Sequence, residues 1–200
     1  MTMLEQRIQQ QFFDSADLQY QTAESLARPI ADAAQAVIGC ITSGGKLLVG
    51  GLGGGAALAQ HVCAAFVGRF ERERPGLPAL ALASDPVLLG ALATRAAPDQ
   101  VLAQQVQALG QSGDVLLLID PLGQDHVLQA AIAAARGREM VVVVLGGRTT
   151  PALRGALGET DVLVAVPHDR SVRVLELQLL VLHCLCDAVD LQLMGEQDPL

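Results

Sequence analysis

A glycine-rich stretch of the sequence has residue types that could bind an anion. Residues 49–61 read VGGLGGGAALAQH, an apolar strand that runs into glycines and then into a helix. Glycine tolerates the tight turn, and backbone N–H groups at the start of the helix could then point at a phosphate. The stretch has no serine, threonine, lysine or arginine, so the alternative is a tight turn packed against a neighbouring segment. The candidate ligand-binding residues are Gly51, Gly53, Gly54 and Gly55.

A second loop, which follows the aliphatic run DVLLLID, carries acidic residues. It reads DPLGQD and adds Asp120, Gly123 and Gln124 to the candidate ligand-binding residues. Asp120 and Asp125 would oppose a bound dianion, because like charges about 4 Å apart repel by roughly 1 to 4 kcal/mol. Asp120 could instead cap the following helix, whose dipole stabilises a carboxylate, or contribute to a cation site. The third loop, LGG at residues 145–147, also lacks a hydroxyl.

Two histidines, His61 and His183, are the side chains best suited to proton transfer or metal binding. Two imidazoles without a carboxylate make an incomplete zinc site. We therefore expect them to pack or hydrogen-bond, and we expect no metal. The four cysteines, at positions 40, 63, 184 and 186, are expected to be reduced thiols. Cys184 and Cys186 are two residues apart on a predicted helix, so they would point to different faces rather than share a metal.

The elements that would position these residues alternate between strands and helices after residue 45. Five short aliphatic runs alternate with helical stretches, although none is evident between the last two runs: KLLVGG, PALALA, DVLLLID, MVVVVLGG and DVLVAV. Continuous Val and Leu runs of this length are typical of parallel strands that are covered on both faces. The pattern predicts a three-layer α/β fold with a five-stranded parallel sheet. The three loops would then meet at the carboxyl ends of the strands, where ligands bind in such sheets.

The N-terminal part of the chain, residues 3–42, has the periodicity of helix. Its length and the internal Pro29 predict a division into two helices near residues 22–24. Phe12 and Phe13 are expected to pack on another subunit. The chain is expected to form a single domain over residues 1–200, in which residues 1–43 help to form the oligomer and residues 44–200 form the α/β core.

Composition narrows the class of partner. The formal charge is −8 and the pI is near 4.8. Such a chain would be repelled by nucleic-acid phosphates and by an anionic membrane, whereas a basic protein or a neutral ligand remains possible. No segment reaches the roughly 18 apolar residues of a membrane span, and the N-terminus lacks the apolar region of a signal peptide. We therefore expect a cytoplasmic protein.

Several segments resemble the sugar isomerase (SIS) domain family. They are LVGGLGGGAALAQH, GRFERERPGLPALAL, QVQALGQSGDVLLLID, VVVVLGGRTTPALRG, VPHDRSVRVLELQLLVLHCLCDAVD and LQLMGEQD. Within the family the chain resembles the phosphoheptose isomerases and, in QVQALGQSGDVLL and HCLCDAVD, the DnaA initiator-associating branch in particular. The resemblance covers essentially the whole chain. It implies a nucleotide-binding-like parallel sheet, a homotetramer, and either isomerisation of sedoheptulose 7-phosphate or binding to the replication initiator DnaA.

The sequence departs from the phosphoheptose isomerase pattern at the residues that carry its chemistry. The loops of that family read like GNGGSA, STSGNS and LTG, with hydroxyls around the sugar phosphate, where this sequence has GLGGGA, DPLGQD and LGG. The family also has a glutamate and a glutamine where this sequence has Ala65 and Leu175. His61 and His183 remain as vestigial catalytic candidates. Together with the resemblance, these departures imply a non-catalytic protein without a cofactor. Zinc is expected only under the alternative of an active isomerase.

Two further segments bear on binding to a partner. FERERPGL carries charges at residues 71–74 and is expected to end a helix as a solvated face; the resemblance adds a contribution to the cleft between subunits. Leu191, Leu193 and Met194 are expected to expose apolar side chains just after the last helix. By resemblance, Leu193 and Met194 match a Leu-Phe pair in the partner-binding surface of the initiator-associating branch.

These observations lead to one main hypothesis and two alternatives. The first is a non-catalytic homotetramer that binds several initiator molecules and promotes their assembly, without direct contact to nucleic acid. The second is a phosphoheptose isomerase that uses the two histidines with a metal, and the third is a sensor that binds a sugar phosphate or another metabolite. Glu176, a carboxylate that remains on the last helix, is expected to pair with Arg173 rather than act as a base.

Overall fold

The computed structural model describes residues 1–94, 98–123 and 125–196. The predicted binding residue Gln124 therefore lies outside the described residues. The strands are β1 (Leu47–Gly51), β2 (Ala79–Ala81), β3 (Val115–Asp120), β4 (Val141–Gly146) and β5 (Val162–Ala165). The α-helices in the described part of the chain are α1 (Met3–Thr42), α2 (Gly54–Val67), α3 (Pro86–Ala93), α4 (Val101–Leu109), α5 (Asp125–Arg136), α6 (Pro151–Ala156) and α7 (Ser171–Met194).

The five strands form one parallel sheet in the order β2-β1-β3-β4-β5, so the predicted fold class is confirmed. The chain leaves β1 toward β2 on one side and continues from β3 on the other, which makes the β1–β3 boundary the topological switch point. Gly51 pairs with Ile119, and Asp120 pairs with Gly146. The register therefore brings the ends of β1, β3 and β4 to the same edge.

Two hydrophobic cores cover the two faces of the sheet. Alternate residues of a strand point to opposite faces. In β3, Leu117 and Ile119 face the core formed with α1, α2 and α7. Leu116 and Leu118 face the core formed with α4, α5 and α6. This double coverage explains why the central strands are uninterrupted runs of Val, Leu and Ile.

The N-terminal segment is one helix of 40 residues, so the predicted division near residues 22–24 is wrong. Buried Leu18, Leu26 and Ala33 keep their helical spacing through the expected break. This face packs along α7. Pro29 removes one backbone donor, but packing against a second long helix holds the geometry on both sides of it.

The amino-terminal half of α1 carries exposed apolar side chains. Phe12 is 73% exposed and Phe13 is 51% exposed. Both lie outside the core, so their packing on another subunit stays a prediction. None of the described helices has the length and apolar character required to cross a lipid bilayer.

Two short helices were missed from the sequence. Both α3 and α6 begin with a capping side chain followed by proline: Asp85 before Pro86, and Thr150 before Pro151. Asp85 accepts hydrogen bonds from the N–H groups of Val87 and Leu88. A capping residue before proline is a helix-start signal, because proline is favoured in the first turn. The helices are too short for hydrophobic periodicity to reveal them.

Two predicted helix ends are wrong. Helix α2 ends at Val67 with Gly68 as its cap, so the charges at residues 71–74 lie in the following loop rather than on a helix. Helix α7 continues to Met194, so Leu191, Leu193 and Met194 belong to its last turn rather than to a tail. Arginine side chains of that loop bond to both helix ends: Arg74 to the end of α2, and Arg72 to the end of α7.

Candidate functional site

The glycine turn lies at the switch point, between the end of β1 and the start of α2. A Cβ on Gly51 would lie 2.1 Å from the carbonyl oxygen of Gly55, and a Cβ on Gly55 would lie 2.4 Å from the carbonyl oxygen of Ile119. Gly53, the residue before α2, has a φ of +53°. Close backbone approach and a left-handed conformation therefore require these glycines. The loop is therefore a tight turn packed against a neighbouring segment, which the sequence offered as the alternative to an anion site.

Most backbone donors of this turn bond within the protein. The N–H of Leu52 donates to the Ile119 carbonyl at 3.0 Å, and the N–H of Gly55 donates to the Leu52 carbonyl at 2.9 Å. The N–H of Ala56 donates to the Gly53 carbonyl at 3.1 Å. These groups are engaged in fixing the turn, so they are not available to an anion.

Leucine side chains lie against the glycines on the outer side of the turn. A Cβ on Gly54 would lie 2.7 Å from a methyl carbon of Leu175, and a Cβ on Gly53 would lie 3.0 Å from a methyl carbon of Leu122. Both leucines come from positions at which the sequence departs from the phosphoheptose isomerase pattern. Their methyl groups offer no hydrogen bond and would have to be moved to admit a charged group.

The carboxylate of Asp120 accepts hydrogen bonds from backbone N–H groups of its own loop, the second of the three. The residue is 2% exposed. Its Oδ1 accepts hydrogen bonds from the N–H groups of Leu122 at 2.8 Å and Gly123 at 3.0 Å. The carboxylate thus bonds to backbone N–H groups, as expected of a capping group, but these precede α5 rather than belong to its first turn. A carboxylate of the protein holds the position that an external anion would need.

The third loop contains a residue that sequence reasoning missed. Thr149 has a buried Oγ1 without a hydrogen-bond partner in the described part of the chain. Its methyl carbon lies 3.1 Å from the position of a Cβ on Gly146. The run RTT just after a parallel strand was the signal available in the sequence. A hydroxyl therefore lies beside the third loop, although residues 145–147 themselves carry none.

The two candidate histidines meet, although they are distant in the sequence. The Nε2 atoms of His61 on α2 and His183 on α7 are 3.0 Å apart, and the ring of Phe70 lies 5.5 Å from that of His183. One imidazole donates and the other accepts. Seven residues of α2 separate Gly54 from His61, so the pair lies roughly 10 Å along the helix from the glycine turn. The geometry matches the hydrogen-bonding role expected for these residues.

The donor set around the histidines does not fit zinc. A structural or catalytic zinc site takes at least three protein ligands. Ala65, one turn after His61, and Leu175, on the helix of His183, provide no donor atoms. Within residues 1–94, 98–123 and 125–196, no group of three or more His, Cys, Asp or Glu side chains could hold a metal ion.

Glu176 is held by α1 and α7 rather than left free as a base. Arg173 donates to both of its carboxylate oxygens, at 2.8 and 2.6 Å, and Ser15 donates at 2.9 Å. Partial burial acts to raise the pKa of Glu176, but these hydrogen bonds and the charges of Arg173 and Arg170 outweigh it and lower the pKa below its ordinary value. The predicted pairing with Arg173 is present, and a carboxylate with a lowered pKa is a weaker base.

The cysteines are free thiols, as expected. Burial raises the pKa of Cys63 to about 12 and that of Cys186 to about 12. Burial also raises the pKa of Cys40 and Cys184. Thiols with raised pKa values are poor nucleophiles and poor metal ligands at neutral pH.

The expectation that Leu193 and Met194 are exposed is wrong. Both are half-buried, and Leu193 packs against the core beneath α7. Leu191 is 41% exposed. Because the helix continues through these residues, its periodicity turns part of the apolar set inward. The candidate partner surface is therefore a helical turn in which Leu191 is the most exposed of the three apolar side chains.

Comparison with known proteins supports the family. The SIS domain family matches residues 11–147 of the chain. The phosphoheptose isomerase of Methylibium petroleiphilum is 56% identical over 198 residues, which cover 99% of each protein. The DnaA initiator-associating protein DiaA of Klebsiella pneumoniae is 42% identical over 96% of this chain and 98% of its own length, and that of Yersinia pseudotuberculosis is 44% identical over 98% and 100%.

Solved structures give the same result. The phosphoheptose isomerase GmhA of Neisseria gonorrhoeae has a TM-score of 0.87 at 36% identity, covering 94% of this chain and 99% of its own. The phosphoheptose isomerase of Francisella tularensis also has a TM-score of 0.87 at 36% identity, covering 95% and 99%. Sequence identity and fold agree over nearly the whole length, and the family match spans residues 11–147. The chain belongs to the SIS domain family.

Proposed function

We propose that this chain is a non-catalytic SIS-domain protein that binds a DnaA-type replication initiator in the cytoplasm. It acts as a homotetramer, so that several initiator molecules are held together. Repeated weak sites raise the local concentration of a partner, and the resulting avidity can exceed single-site affinity by about 10² to 10⁴. The protein promotes initiator assembly by this multivalency, without contacting nucleic acid itself.

The observation that carries the proposal is the bonding of Asp120. Its buried carboxylate occupies the backbone donors of Leu122 and Gly123, which would otherwise be available to a sugar phosphate. A dianion there would displace hydrogen bonds and meet a like charge. The apolar contact of Leu175 with the glycine turn acts in the same direction. The cleft is therefore poorly suited to a sugar phosphate. This supports a role in which the SIS fold binds a macromolecule.

The choice of partner rests on relatives and charge. Relatives that cover 96% or more of this chain at 42% and 44% identity are named DnaA initiator-associating proteins. The net charge of −8 suits a basic, DNA-binding partner. The absence of a third ligand beside His61 and His183 in the described residues also supports a role without catalysis.

Sedimentation velocity with purified DnaA tests the proposal. At micromolar concentration we expect a complex that contains more than one DnaA per tetramer. Met194→Ala should weaken it, whereas Val172→Ala, which removes an exposed side chain from the other end of α7, should not. The proposal is overturned if the wild-type protein, shown to be folded, forms no complex at tens of micromolar.

The contact between the two histidines favours a second candidate, a phosphoheptose isomerase. Their Nε2 atoms are 3.0 Å apart, and the relative that is 56% identical carries that name. This candidate predicts conversion of sedoheptulose 7-phosphate that is lost in both His61→Ala and His183→Ala. Turnover that survives both substitutions, or that is absent from the wild-type protein, excludes it.

A further inference from the structure

The loop between α2 and β2 holds two arginines whose side chains turn back onto helix ends. Residues 68–76 include the run ERER, which sequence reasoning placed on a solvated helix face. In the structure, Arg69 and Glu73 form an exposed pair, whereas Arg72 and Arg74 bond to the helices. Neither α2 nor α7 has a basic residue in its own last turn. The loop supplies the cations that these two helix ends lack.

Arg74 fixes the loop to both helices at once. Its side chain is 1% exposed. The guanidinium donates to the carbonyls of Ala65 at 2.9 Å and Phe66 at 2.8 Å, which are the last carbonyls of α2, and to Asp190 of α7 at 2.6 Å. Unpaired carbonyls at a helix end need such donors. Arg74 therefore ties the end of α2 to the last turns of α7.

Arg72 bonds to the end of α7, beginning four residues after Asp190. Its two terminal nitrogens donate to the carbonyls of Gly195 at 2.7 Å and Met194 at 3.3 Å. Gly195 is the cap residue of α7 and has a φ of +79°. The carbonyls that Arg72 engages thus belong to the same turn as Leu193 and Met194. A positive charge at this point also complements the helix dipole.

We propose that Arg72 is a positioning residue for the partner-binding turn of α7, residues 191–195, and that Arg74 is the anchor that places Arg72. The inference rests on the proposed function for the identity of the partner. It adds that initiator affinity depends on a loop that need not itself touch the initiator. Without Arg72, the last turn loses two charge-assisted hydrogen bonds and frays, so Leu191 and Met194 no longer share one rigid surface.

The variants Arg72→Ala and Arg72→Lys test the inference in the full-length protein, with Arg69→Ala as the control. Arg69 carries the same charge on the same loop, but its side chain is 59% exposed and is paired with Glu73 rather than with a helix end. For Arg72→Ala we expect amide hydrogen exchange of residues 191–196 to rise by about tenfold and DnaA affinity to fall by about tenfold, the range expected for hydrogen bonds to a charged group. Arg72→Lys should recover part of both, and Arg69→Ala should change neither.

Two measurements separate this inference from the proposed function. Unchanged exchange in Arg72→Ala overturns the inference, and so does increased exchange with unchanged DnaA affinity. If the wild-type protein does not bind DnaA, the proposed function fails, and the partner role of Arg72 fails with it even if the turn frays. Equal effects of Arg69→Ala and Arg72→Ala would assign the result to net charge and also overturn the inference.

Discussion

The edge of the sheet and the carboxyl end of α7 use polar groups in opposite ways. At the sheet edge, backbone donors bond inward to carbonyls and to Asp120, and leucines cover the glycines. At the end of α7, Arg74 and Asp190 form a pair whose side chains are 1% and 5% exposed, and Arg72 completes the helix end. Burying charged side chains has a high desolvation cost, so buried charges are kept where they fix the position of one element against another. In the proposed function, the end of α7 is accordingly the surface whose geometry is maintained, and the sheet edge is the region whose polar groups are satisfied internally.

The largest expected effect comes from removing the charge that holds the end of α7. Arg74→Met leaves Asp190 buried without its cation, and one oxygen of Asp190 already lacks a hydrogen-bond partner in the described part of the chain. We expect the free energy of unfolding to fall by about 3 to 5 kcal/mol, measured by urea denaturation. Arg28→Ala is the control, because the side chain of Arg28 is 92% exposed and its ion pair contributes little.

A double variant sharpens that result. Arg74→Met combined with Asp190→Leu removes both charges, so it should be less destabilised than Arg74→Met alone. If the double variant is the less stable of the two, the unpaired charge of Asp190 is not the source of the destabilisation in Arg74→Met.

The next effect tests whether the glycine turn is held by close packing. In Gly51→Ala, the added carbon would meet the Gly55 carbonyl at 2.1 Å, so the backbone must shift. We expect the free energy of unfolding to fall by about 1 to 3 kcal/mol in urea denaturation. Gly155→Ala is the matched control: it adds the same carbon to helix α6 with nothing within 4 Å, and should be neutral or stabilising. Equal effects at the two positions would contradict the packing argument.

The buried thiols beneath both regions predict a dependence of stability on alkaline pH. Burial raises the pKa of Cys63 on α2 and of Cys186 on α7 from 9.0 to about 12. The folded protein keeps these protons at a pH where the unfolded chain has released them. The stabilisation is therefore complete below pH 9 and is lost as pH rises toward 12, at about 1.4 kcal/mol per pH unit for each thiol.

Urea unfolding of the wild-type protein and of Cys63→Ala between pH 8 and 10 measures this dependence. The difference between the two proteins isolates the thiol, because other alkaline titrations are common to both. The loss of stability above pH 9 should be less steep in the variant. Parallel curves would show that Cys63 does not keep its proton.

The smallest expected effect concerns phosphate at the second loop. In Asp120→Ser, the N–H groups of Leu122 and Gly123 exchange a carboxylate for the weaker acceptor of a hydroxyl, and the like charge disappears. We expect inorganic phosphate to stabilise this variant in a thermal-shift assay, by about 1.4 kcal/mol at ten times its Kd, and to leave the wild-type protein unchanged. Asp120→Asn, whose amide oxygen keeps the position of the carboxylate oxygen that accepts from both N–H groups, should respond less than the serine variant. A phosphate-dependent shift in the wild-type protein would contradict the proposed loss of anion binding.

Much of the fold follows from local pattern. The five aliphatic runs predicted the five strands and their parallel pairing, because a strand covered on both faces must be apolar at successive positions. The pattern failed where tertiary contacts override local signals. Packing on α7 carries α1 through Pro29, and the short helices α3 and α6 have too few residues to show a period.

The candidate site was predicted only in outline. His61, His183 and the three loops were identified from residue types and from the family pattern. Two facts were outside the reach of that reasoning. It could not show that Asp120 bonds to its own loop, or that Leu175 lies on the glycine turn.

The sequence by itself determined the strands, their burial and the lack of hydroxyl groups in the first two loops, because these are properties of residue type and short-range spacing. Only the tertiary structure decided where the charged run at residues 71–74 goes. Arg74 is 116 residues from Asp190, and Arg72 is a similar distance from Met194. From local pattern alone, a run of arginines and glutamates is predicted to lie on a solvated surface. Desolvated partners supplied by a distant helix make two of those arginines part of the interior framework.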